Sequence, residues 1–183
     1  WDDWGVFVGG KGTGLEFFVA WGEDAGKPEG VYVMVVSGGK VFDIRAVARR
    51  TRGWIDTRLL PEGISQVVLL DEAGRVYSQR QFFVKREMEN RLACRLDKRE
   101  HSTRELVELE VELPEQNGGT FSLAVTDDGK VPVDENEENI LSSLLLTSNV
   151  KGYIKNPGYY FSTESEEVER HLDVVMLTHG WTR

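Results

Sequence analysis

The sequence predicts a mainly β protein: immunoglobulin-like, macroglobulin-type β-sandwich units with a C-terminal two-helix segment. Three observations lead there. About six short apolar or alternating runs follow one another in the first half, spaced as sandwich strands are spaced. Glycine-rich and proline-rich turns separate them, with no helical period between. Spacings of three and four between apolar residues appear only after Val133.

Leu15 to Trp21 is aromatic and β-branched, and Gly12 and Gly14 precede it, as a turn precedes a strand. Gly22 to Gly30 carries Asp24, Gly26 and Pro28 and reads as a loop. Val31 to Val36 is apolar at every position, the pattern of a central strand with both faces covered. Ser37-Gly38-Gly39-Lys40 is a hairpin turn, because glycine reaches the positive φ of primed turns, and Val41 to Ala48 returns as the next strand. Trp54 to Leu60 is a strand stopped by Pro61-Glu62-Gly63; Ile64 to Asp71 and Arg75 to Lys85 follow around Glu72-Ala73-Gly74.

Lys85 to Asn90 reads as a linker, giving one unit over 1–88 and a second over 89–183. In the second, Val107, Leu109, Val111 and Leu113 alternate with Glu108, Glu110 and Glu112, which predicts one dry and one wet face. Cys94 alternates with Leu92 and Leu96 and is expected to be buried in a strand. Thr120 to Thr126 alternates again and closes at Asp127-Asp128-Gly129-Lys130. Asp134 is a candidate N-cap for a helix over about 136–149, with Ile140, Leu141, Leu144 and Leu145 as its stripe. Thr163-Glu164-Ser165-Glu166 has capping-box spacing and opens a helix over about 164–179, striped by Val168, Leu172, Val175 and Met176 and stopped at Gly180.

The 183 residues carry a formal charge of −9, a sign that repels phosphate backbones and argues against nucleic acid as partner. Arg45, Arg49, Arg50 and Arg52 are the basic exception; they read as a solvated strand edge, or as a contact for an anionic partner such as a lipid head group. One cysteine excludes an internal disulfide, and a core of this size dispenses with one. No apolar run reaches about 18 residues, so no helical membrane span is expected. The chain starts at Trp1 without Met and stops after Trp181-Thr182-Arg183, which reads as a piece of a longer protein.

Chemistry-bearing patterns are sparse. His101, His171 and His179 are the only histidines; the last two fall roughly two turns apart on one helix, too far for one tetrahedral metal. Asp127-Asp128-Gly129 and the acidic run from Asp134 to Asn139 lack EF-hand ligand spacing. Gly9-Gly10-Lys11-Gly12-Thr13-Gly14 opens a strand, whereas a phosphate loop opens a helix. No catalytic residue, cofactor or metal is therefore expected. The aromatic residues Trp54, Tyr159 and Tyr160 are the candidate binding residues; core filling is the alternative for strand tryptophans such as Trp21 and Trp54.

Asn139 to Phe161, with Asn156-Pro157-Gly158-Tyr159-Tyr160-Phe161 at its end, and Leu172 to Trp181 resemble a signature of large envelope proteins of Bacteroidota-type bacteria. Pro61-Glu62-Gly63-Ile64-Ser65-Gln66 and Ser122 to Asp127 fit the same pattern, so the resemblance runs from about Leu60 onward. Those proteins carry alpha-2-macroglobulin-like β-sandwich domains, often ahead of a carboxypeptidase-regulatory-like domain and a TonB-dependent receptor plug. The resemblance implies an exported fragment, periplasmic or outer-membrane-associated. Cys94-Arg95-Leu96-Asp97 is not the Cys-Gly-Glu-Gln thioester of true macroglobulins, so thioester chemistry is not implied. The expected function is a non-catalytic structural or interaction module contacting neighbouring domains or another envelope protein. A carbohydrate-binding module for surface glycans is the alternative.

Overall fold

The structure is a computed structural model that describes residues 4–10, 14–22, 30–86, 93–112, 123, 125–126, 129–130 and 134–180. The expected Thr120–Thr126 strand, the Asp127-Asp128 pair, Trp1 and Trp181 lie wholly or largely outside the described residues. The chain is mainly β, with nine strands and only antiparallel pairings among the described residues. It divides into two compact units, Trp1–Lys85 with Val133–Arg183, and Arg86–Pro132.

The larger unit holds two sheets. One has the order β1 (Trp4–Gly9), β2 (Gly14–Trp21), β5 (Thr51–Asp56). The other has the order β4 (Lys40–Ala46), β3 (Val31–Ser37), β6 (Gly63–Asp71), β7 (Val76–Val84). Period-two alternation decides which side chains meet between them. Val6, Phe17, Val19 and Ile55 come from the first sheet, and Val33, Val35, Val67, Leu69, Phe82 and Val84 from the second, into one buried cluster. The β3–β4 hairpin is closed by Gly38 and Gly39 at φ 54° and 74°, the two positive values a primed two-residue turn needs.

One end of this core is closed by aromatic stacking. The Trp4 ring lies between Trp21 at 4.6 Å and Tyr77 at 4.4 Å, joining β2, β1 and β7 across the two sheets. The Tyr77 hydroxyl donates to Asp71 Oδ2 at 2.9 Å. Asp71 is only 4% exposed and also accepts from the Arg75 backbone N–H and from Arg75 Nε, at 2.9 and 2.7 Å. Burial alone would raise the Asp71 pKa; the hydrogen bonds from Arg75 and Tyr77 outweigh it and hold it down to about 2.

The C-terminal segment contains α1 (Ile140–Leu145), α2 (Tyr159–Ser162) and α3 (Glu166–His179). Leu172, Val175 and Met176 of α3 join Leu146 and Ile154 in a second cluster, against Ile64, Phe83, Tyr160 and Phe161. Ile64 and Phe83 are register partners and alternate with the inward-facing Ser65 and Phe82, so this cluster covers the outward face of the four-stranded sheet.

Several expectations need correction. The helical segment belongs to the first compact unit, not to a second unit over 89–183, because its apolar stripe packs on Ile64 and Phe83. The helix expected over 136–149 starts only after Asn139. Asp134 turns back on the Asn136 N–H at 2.9 Å, whereas Asn139 Oδ1 caps Leu141 and Ser142, both at 3.0 Å. The cap of α3 is Ser165, whose Oγ accepts from the Val168 N–H at 3.2 Å, so Thr163 lies outside the helix. The strand expected over Trp54–Leu60 ends at Asp56, which caps a 3-10 turn over Thr57–Leu59.

The smaller unit holds β8 (Ala93–Leu96) paired with β9 (Leu109–Glu112). Cys94 is exposed, not buried, and Val107 is 50% exposed despite its place on the expected dry face. Among the described residues this sheet has two strands, too few to enclose an interior, so the period-two pattern does not translate into burial there. The Asp97 carboxylate bonds His101 Nε2 at 2.9 Å and the Glu108 N–H at 3.3 Å, while Lys98 pairs with Glu105. The bond from His101 and the backbone N–H of Glu108 lower the Asp97 pKa despite partial desolvation.

Candidate functional site

The outward face of the three-stranded sheet is set by register. Phe7, Phe18 and Arg52 stand opposite one another across β1, β2 and β5, and Gly9, Glu16 and Trp54 form the adjacent row. Both rows alternate with the inward set of Phe17, Val19 and Ile55, so their side chains leave the core. Phe7 is 63% exposed and Trp54 is 52% exposed, far more than large aromatics that fill a core. The Phe7 and Phe18 centroids are 6.3 Å apart, and the Arg52 guanidinium carbon lies 5.4 Å from the Phe18 centroid.

Trp54 is placed by a glycine. Its ring covers Gly14, where an added Cβ would come within 1.6 Å of Cζ2. Its carbonyl accepts from Arg45 Nη1 at 2.9 Å. The result is a flat aromatic platform with a cation and the Glu16 carboxylate at hand. Such a surface can stack on planar or CH-rich groups while the charged groups orient them.

Tyr159 and Tyr160 lie elsewhere. Their rings meet edge to face at 5.3 Å on α2, and the Tyr159 hydroxyl is 3.0 Å from His171 Nδ1. Tyr160 packs into the cluster on the outward face of the four-stranded sheet, where burial first and Tyr159 second raise its phenol pKa. Phe161 meets Phe83 edge-on at 5.9 Å, completing the attachment of the helical segment. The structure therefore brings Tyr159 and Tyr160 together on α2 and places Trp54 on the three-stranded sheet.

A groove of about 360 Å³ runs between the end of β1, the end of β7 and α3. Leu15 and Phe82 give it an apolar floor, and Glu166, Glu169 and Arg170 a charged wall. Asp173 at its rim is held by Arg80 Nη2 at 2.7 Å. None of the three sequence candidates lines it. Among the described residues no group of three or more His, Cys, Asp or Glu side chains could hold a metal ion.

The arginines singled out from the sequence are used one by one. Arg45 pairs with Asp43 and bonds Trp54, Arg49 Nε donates to the Trp21 carbonyl at 3.0 Å, Arg50 adopts φ 60°, and Arg52 lies over Phe18. Sequence reasoning missed β1, and with it Phe7. The signal was present, since Phe7 alternates with Val6 and Val8 in the run from Trp4 to Gly9. No protein-family model matches the chain, and no curated protein matches it significantly.

Proposed function

We propose that the chain is a non-catalytic interaction module with immunoglobulin-like, macroglobulin-type architecture, part of an exported cell-envelope protein, that engages a neighbouring domain or envelope partner. The observation that carries this reading is the pair of exposed rows Phe7–Phe18–Arg52 and Glu16–Trp54 on the three-stranded sheet. An aromatic surface with an arginine in it has the composition of a binding hot spot. Folding buries the inward rows, whereas Phe7 and Trp54 stay more than half exposed.

The test is a calorimetric titration of the chain with the polypeptide that flanks it in the full-length product. Saturable binding, weakened at least about tenfold by Phe7→Ala or Trp54→Ala, supports the module. Binding untouched by both changes removes this face from the proposal. Fractionation of cells expressing the full-length product checks the compartment: recovery in the cytosol alone rules out the envelope assignment.

Trp54 favours a second reading, capture of surface glycans. A half-exposed indole held flat by Gly14, with Glu16 opposite it in register, suits stacking on a sugar ring with a hydroxyl bonded to the carboxylate. Titration with soluble oligosaccharides decides it, because Trp54→Ala must abolish any saturable heat.

A further inference from the structure

β4 is the outer strand of the four-stranded sheet, and its charges, Lys40, Asp43 and Arg45, are of both signs, so that they do not by themselves repel a second copy of the same strand. It is seven residues long, contains no proline, and exposes Val41, Phe42 and Ile44, with Ile44 at 56%. At the opposite edge β7 is contacted by β1 and α3. The phase of the β4 backbone follows from one bond. The Val47 N–H donates to the Val31 carbonyl at 2.8 Å, so residues 45 and 43 also turn their peptide groups toward β3. Alternation then directs the N–H and C=O of Ile44 to the open side.

We propose that β4 pairs antiparallel with β4 of a second copy of this chain, about a two-fold axis through Ile44. The charges on the strand select both the occupant and the register. With Ile44 opposite Ile44, Asp43 of each copy faces Arg45 of the other, giving two opposite-charge pairs from one strand sequence. Phe42 has no partner in the β3–β4 ladder, whose register shifts between Val35 and Val36, so the pairing centres on the regular stretch from Asp43 to Arg45. A shift of two residues one way places Asp43 against Asp43 on the axis, and a shift the other way places Arg45 against Arg45. A shift of one residue breaks the match of faces. In the single chain Asp43 and Arg45 already pair with each other on one side of the strand, so both charges are in place before the copies meet. The Ile44 peptide groups close the central hydrogen-bonded pair, and the exposed apolar side chains of the edge leave water.

Analytical ultracentrifugation over a concentration series up to about 1 mM, the range of weak association, tests this with charge exchange. Asp43→Arg alone and Arg45→Asp alone each put like charges opposite in both pairs and weaken self-association at least about tenfold. The double exchange D43R/R45D restores it. An equimolar mixture of the two single variants forms a mixed dimer, because one then presents a positive charge at both positions and the other a negative charge at both. Arg45 also bonds Trp54, so circular dichroism must show each variant folded. Ile44→Pro serves as an independent block: it removes an outward N–H, spares the β3 ladder and abolishes the dimer. A wild-type chain that stays monomeric throughout overturns the proposal. So does a dimer indifferent to these exchanges, or a pair of single variants that do not associate when mixed.

Discussion

Gly53 offers the sharpest test of how the two-sheet core is assembled. It sits opposite Phe17 in the β2–β5 register, and Phe17 is a 2% exposed member of the core. The Phe17 ring lies directly over the glycine: an added Cβ would fall 2.2 Å from Cζ and 2.3 Å from Cε1. Ordinary carbon contacts are about 3.5–4.0 Å, so Gly53→Ala demands a displacement above 1 Å in a packed interior, by roughly that comparison. Overpacking of this kind costs about 1–3 kcal/mol. Replacing a strand glycine by alanine returns about 0.5–1 kcal/mol of backbone entropy. The net loss spans about 0–2.5 kcal/mol and centres near 1 kcal/mol, a central fall of roughly 2–4 °C in Tm for a chain of this size. Urea unfolding followed by circular dichroism measures it. The cycle is completed by Phe17→Leu, which frees space over the glycine, so the double variant should lose less than the sum of the two singles. A Gly53→Ala protein more stable than the parent, or strict additivity, would refute the argument that ring and glycine are matched.

Three further outcomes follow from the local structure. Asp71 has a folded pKa of about 2, below the usual carboxylate value, so its contribution to stability is present above the unfolded pKa and is lost as pH falls through about 2. Asp71→Asn should lower Tm at pH 7 and flatten the decline of Tm below about pH 4, read from thermal melts across pH. Ser165→Ala should cost about 1 kcal/mol by losing the α3 cap, whereas Thr163→Ala should be near neutral; chemical denaturation separates them. Cys94 is exposed, so a thiol reagent should label it fully in the native protein with no added denaturant.

Much of the β framework was legible because its signals are local. Gly38-Gly39 dictates a turn through positive φ, and strands β3, β6 and β7 lie where the apolar runs lie. The helix α3 was legible from its stripe, but not its address, since Val168, Leu172 and Met176 look the same whichever sheet they cover. Helix starts were misplaced because several short polar residues compete for each cap. Between Asp134 and Asn139, and between Thr163 and Ser165, only the folded backbone decides which side chain reaches an N–H. Trp54 was named as a binding residue without a surface to put it on. Its outward place depends on Gly53 and Ile55 pairing with Phe17 and Leu15, a register that is a property of two strands and not of one. The tyrosines were named for the same aromatic character, yet Tyr160 packs in the cluster beneath α3.

The larger unit is discontinuous in sequence, and this imposes an order on biosynthesis. Ile64 and Phe83 leave the ribosome early, while Leu146, Leu172 and Met176, which cover them, arrive only after residues 86–132 have been made. At about 5–20 residues per second the uncovered apolar sheet face waits on the order of ten seconds for its lid. A nascent chain paused in that interval is therefore the species most in need of a holdase, and a polypeptide truncated near Lys85 should be sticky however well its strands pair.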